Sequence, residues 1–155
     1  MYICGVTKTK EMENQFVPYE LAVKLKGLGF DEECFGYYNS KGTLRYQGQV
    51  EPLGGMDVQE MSNEVVNSKY CSSPLWQQSF DWFRGNHNLY IIIIPTINMY
   101  WTFKTMTVIE GMVEVPPYDH VDANDYSTYE EARVACLEKL IEIVENKNKR
   151  NGNIL

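Results

Sequence analysis

The stretch NLYIIIIPTINMYWTFKTMTVIE, from Asn88 to Glu110, restricts the fold of this chain more than any other. Two runs rich in Ile, Tyr, Thr, Phe and Trp flank a Pro/Asn turn, so the segment reads as a β-hairpin. Its first strand is unusual. A strand with one wet face alternates apolar and polar residues, yet Leu89 to Ile94 has no polar position except the Tyr90 hydroxyl. Both faces need cover, because a large apolar side chain left in water forgoes about 1.5–3 kcal/mol. The second strand alternates: Met99, Trp101, Phe103 and Ile109 share a core face, and Tyr100, Thr102, Lys104, Met106 and Val108 share the other.

Helical patterns flank the hairpin. Ser73-Pro74 suits the cap and first turn of a helix carrying Leu75, Trp76, Phe80 and Phe83 and ending near Gly85. Downstream, Met112 to Val115 reads as a third strand. Ser127-Thr128-Tyr129-Glu130 forms a capping box, with Ser127 accepting from the backbone and Glu130 reaching back. The helix it opens places Ala132, Cys136, Leu140, Ile143 and Val144 on one face and should run to about Asn146. Upstream, Pro18 suits the first turn of a helix marked by Leu21, Leu25 and Leu28 and stopped by Gly27 and Gly29, followed by a short strand at Phe35 to Tyr38. The expected fold is α+β: a small antiparallel sheet packed on two helices, in α-β-β-β-α order from residue 73, plus an N-terminal helix and strand. One domain spans 1–146, with a long loop at about 42–72 and a flexible basic tail at 147–155. The N-terminal helix and strand, or a second copy of the chain, would cover the exposed side of the apolar strand.

Composition narrows function. The 155 residues carry a formal charge of −7, which opposes binding to DNA, RNA or anionic membranes, since phosphate binding relies on Lys and Arg displacing counterions. No apolar run approaches the roughly 20 residues a bilayer requires, so a cytoplasmic location is expected. The four cysteines, Cys4, Cys34, Cys71 and Cys136, are scattered without a CxxC pair and read as reduced, mostly buried thiols.

The element order from residue 73 resembles that of double-stranded-RNA-binding domains, three antiparallel strands with both helices on one face. Such domains grip phosphates with a Lys-rich start to the last helix; this chain has Tyr129, Glu130 and Glu131 there, so the resemblance extends to topology and not to RNA. The strings QFVPYELAVKLKGLGFDEECFGYY, PLWQQSFDWFRGNHNLY and STYEEARVACLEKLIEIVENK resemble a family of small proteins of Bacteroidetes and their phages. That resemblance implies a phage or mobile-element origin and a bacterial host cell, and assigns no residue a role.

Candidate chemistry is sparse. Cys34 or Cys71 as a nucleophile would need His87 or His120, and nothing local pairs them. Asp119, His120, Asp122 and Asp125 match neither an EF-hand nor a zinc spacing and read as a solvated acidic loop. Gly54-Gly55 lacks the strand, helix and Lys of a phosphate loop and reads as a turn. No catalytic residue, metal or cofactor is expected. The hairpin's second face, an aromatic plane beside a hydroxyl and a cation, offers the kit for stacking a base and holding a phosphate, although it suits a surface strand or subunit contact equally. The expected ligand residues are Tyr100, Lys104, Trp82 and Arg84, with Arg45 as a lid. Together with the phage resemblance they point to a non-enzymatic, homo-oligomeric protein that sequesters a small anionic nucleotide signal. The alternative is an interaction module that binds a host protein through its acidic surface.

Overall fold

Helices and two small antiparallel sheets make an α+β chain, in a computed structural model that describes residues 11–46, 63, 70–109, 112–114 and 125–152. Cys4, Gly54-Gly55, Asp119, His120, Asp122 and most of the 42–72 loop lie outside the described residues. The chain divides into two compact units, Met1–Ser79 and Phe80–Leu155, each described by itself.

The first unit opens with α1 (Tyr19–Gly27), whose buried residues Leu21, Ala22 and Leu25 form one stripe. Pro18 stands just before the first turn, where its missing N–H costs nothing, and its carbonyl accepts from Leu21 and Ala22 at 3.0 and 2.9 Å. Gly29 rather than Gly27 ends the helix. At φ +93° it lets Phe30 donate to the Leu25 carbonyl at 3.0 Å, while its own N–H reaches Lys26 at 3.1 Å, a Schellman closure. Phe30 is 1% exposed and caps the stripe with a ring. Strands β1 (Gly36–Tyr38), β2 (Leu44–Tyr46) and β3 (Cys71–Ser72) then pair antiparallel in the order β2-β1-β3. Gly36 is required by proximity, since a Cβ there would sit 2.8 Å from the Arg45 carbonyl oxygen.

Helix α2 (Trp76–His87) begins later than Ser73-Pro74 suggested. The free N–H of Leu75 is taken by the Gln78 side chain at 3.0 Å, so Gln78, not Ser73, supplies the cap. The helix also passes through Gly85. It stops at Asn88, which takes a left-handed φ of +54°, a conformation Asn tolerates better than most residues.

In the second unit β4 (Leu89–Pro95), β5 (Trp101–Ile109) and β6 (Met112–Glu114) form an antiparallel meander. Leu89 lies opposite Thr107, Ile91 opposite Thr105 and Ile93 opposite Phe103, so these residues share the face that alternation predicts for the core. The hairpin closes through Thr96–Tyr100, with Met99 at φ +64° where Gly would be unstrained. Helix α3 (Tyr129–Gly152) packs on β4 and β5. Its cap is shifted by one residue from the expected frame. Thr128 Oγ1 accepts from the Glu131 N–H at 3.1 Å, and Glu131 accepts from the Ser127 and Thr128 N–H groups at 3.0 and 3.3 Å. Thr128-x-x-Glu131 fits the capping pattern as well as Ser127-x-x-Glu130 does, and Glu131 satisfies two backbone donors at once. The helix also continues past Asn146. Residues 147–152, expected as a flexible tail, form its last turns, with Lys149 and Arg150 complementing the negative end of the helix dipole.

Candidate functional site

The site grows from a change in side-chain size along one face of β5. Trp101 and Phe103 anchor the start of α3: Trp101 meets Tyr129 edge-on at 5.3 Å between centroids, and Phe103 stacks with Tyr126 at 6.1 Å. Phe103 is 2% exposed, and Ala132, Cys136, Leu137, Leu140, Ile141 and Val144 of α3 are buried. The next two positions on that face of β5 are Thr105 and Thr107. Their small side chains cannot fill the space a ring fills at Phe103, so a cleft of about 370 Å³ opens between the strands and the later turns of α3. Leu89, Thr105 and Thr107 line it from the sheet.

Helix α3 supplies the other wall at helical spacing. Lys139, Ile143, Asn146, Lys147 and Arg150 recur every three or four residues and face the cleft, with Glu142 and Asn151 beside them. The described lining therefore holds three cations and one carboxylate within a chain of net charge −7. Glu142 is committed to Lys139 at 2.9 Å. Lys147 and Arg150 have no ion-pair partner among the described residues. Both are exposed on the last turns of α3, so their charge is open to an anion. Leu89 and Ile143 give an apolar platform, and the threonine hydroxyls and asparagine amides provide both donors and acceptors.

His87 adjoins this charge. Its ring meets Trp82 at 4.8 Å and Phe83 at 5.8 Å, and its Nε2 is buried without a hydrogen-bond partner among the described residues. Burial first, and the Lys147 ammonium second, hold its pKa below the ordinary value of 6.5.

The residues expected to bind ligand are placed differently. Tyr100 and Lys104 share the opposite face of β5, Tyr100 43% exposed beside the turn and Lys104 half-buried. Trp82 is 7% exposed and packs with Phe83 and His87, so its ring serves the interior and offers no free plane for stacking. Arg84 extends to Asp81 at 2.7 Å. Arg45 is exposed on β2 in the first unit. The one local trace of the cleft is Thr105 and Thr107, hydroxyls at two successive core-face positions where a filled helix–sheet interface would carry large apolar groups; its helical wall has no such mark.

Elsewhere, Cys34, Cys71 and Cys136 are buried and form no disulfide among the described residues. Burial pushes the Cys34 thiol up to about 12, and only partly does the Ser72 hydroxyl beside it offset that. Cys71 is raised by burial as well, so both stay protonated and inert as nucleophiles. A shallow depression of about 450 Å³, lined by Tyr126, Val134, Ala135 and three glutamates, carries the opposite sign of charge from the cleft. No helix among the described residues is long and apolar enough to cross a membrane. Comparisons of the chain with protein-family models, curated proteins and solved structures return no match.

Proposed function

We propose that this chain binds a small nucleotide anion in the cleft between α3 and the β4–β5 face, and holds it without turning it over. One observation carries the reading: Lys147 and Arg150, without an ion-pair partner among the described residues, line a cavity of about 370 Å³ together with an apolar platform, hydroxyls and amides. That volume falls in the range of about 300–1,000 Å³ typical of small-molecule sites. The two cations suit a ligand with one or two phosphates, the platform suits a base, and the overall negative charge repels a nucleic-acid polymer. Binding without chemistry is supported by the engagement of Glu142, the carboxylate in the described lining, with Lys139. In the phage setting that the sequence resemblance implies, such binding amounts to sequestration of a host signalling nucleotide.

Calorimetry against mononucleotides, cyclic dinucleotides, cyclic trinucleotides and ADP-ribose derivatives tests this. At least one should bind with Kd below about 10 μM, equivalent to about −6.8 kcal/mol. Lys147→Ala and Arg150→Ala should each weaken it about 10-fold or more, the worth of a charge-assisted hydrogen bond. Thr107→Phe, which fills the cleft, should abolish it. Silence across the panel would favour the second reading, in which the depression holding Glu130, Glu131 and Glu138 docks a basic host protein.

A further inference from the structure

Strand β4 lies at the edge of its sheet, bonded to β5 on one side only. The N–H of Val108 donates to the Asn88 carbonyl at 3.4 Å, which fixes the phase of the ladder. By antiparallel alternation the backbone groups of Tyr90, Ile92 and Ile94 then face β5, and those of Leu89, Ile91 and Ile93 face outward. Among the described residues nothing pairs with that outer edge. Soluble chains protect an exposed edge with a charge, a bulge, an interior proline or a very short strand. β4 has seven residues, no charge, and proline only at its last position.

We propose that β4 pairs antiparallel with β4 of a second copy of this chain, about a two-fold axis through Ile92, joining two three-stranded sheets into one. A two-fold contact sets each strand against itself, so any charged residue near the axis would face its own like charge. β4 has none, which makes it self-complementary. Its middle residue, Ile92, is 45% exposed in the single chain, the large apolar side chain such a pairing would cover. In this register Ile91 meets Ile93 of the second copy, so the outward N–H and C=O groups on each strand find partners. Leu89 lies opposite the second copy's Pro95, whose missing N–H costs little at the end of the ladder. Leu89 also lines the cleft, so the interface borders the ligand site without depending on it.

The test uses the full chain without ligand. Light scattering at micromolar concentration should give the mass of two 18.0 kDa chains. Ile93→Pro removes an N–H that points outward, leaving the β4–β5 ladder intact, and should give a single-chain mass with unchanged circular dichroism. Ile92→Lys places two ammonium groups at the axis and should do the same; should Ile93→Pro fail to fold, this variant decides. Amide exchange at Ile91 should be slow in the wild type and fast in either variant, and exchange at Ile93, slow in the wild type, should be fast in Ile92→Lys. A single-chain mass for the wild type, or a double mass retained by the folded variants, would overturn the proposal.

Discussion

His87 shows how one side chain ties packing to charge. Its ring is half-buried against Trp82 and Phe83 beside the Lys147 charge, so the neutral form is favoured and the folded-state pKa lies below 6.5. The unfolded chain therefore binds the proton more readily. Stability contributed by neutral His87 is fully present above 6.5 and is lost as the pH falls toward and through the folded-state value. Thermal melts between about pH 7 and pH 5 should show a steeper loss of Tm for the wild type than for His87→Gln, whose amide does not titrate in that window. Parallel curves would mean that His87 does not titrate differently in the folded chain. Trp82 belongs to the same cluster. From sequence it reads equally as core or as a stacking ring, since an isolated tryptophan near a helix end carries no signal of its own; its burial against the Phe83 and His87 rings decides for the core.

Among the elements, α3 carries the most information and was the least completely legible. Its apolar stripe from Ala132 to Val144 is plain in the sequence, as is the presence of a capping box. Which of two overlapping boxes forms is not, because Ser127/Glu130 and Thr128/Glu131 have the same spacing. The structure selects the second. Thr128→Ala should therefore cost about 1 kcal/mol in denaturant unfolding, while Ser127→Ala should be nearly neutral. The reverse order would restore the first frame. Residues 147–152 read as a flexible basic tail rather than as helix for a related reason. Lys147, Asn148, Lys149, Arg150 and Asn151 have no apolar periodicity, so nothing in the pattern extends the helix, although their charge is favourable at its C-terminal end. Two of them, Lys147 and Arg150, join Lys139 as the cations of the cleft.

For the molecule as a whole, the α+β architecture and the hairpin with its core face were readable because alternation and cap chemistry are local. The cleft was not, because it is an absence of volume shared between β5 and a helix more than twenty residues later. Thr105 and Thr107 fit a strand well and leave no gap in its pattern, whereas Tyr100 and Lys104, on the other face, look like a ligand kit when read in isolation. The two faces of β5 thus give rival sites. Backbone and side-chain NMR of labelled protein, titrated with the tightest nucleotide from the calorimetric panel, distinguishes them directly. The expected shifts fall on Leu89, Thr105, Thr107, Lys139, Lys147 and Arg150, and the pKa of His87 rises as the bound anion offsets the Lys147 charge. Shifts confined to Tyr100, Lys104 and their face of the sheet, with His87 unmoved, would contradict the cleft as the binding site.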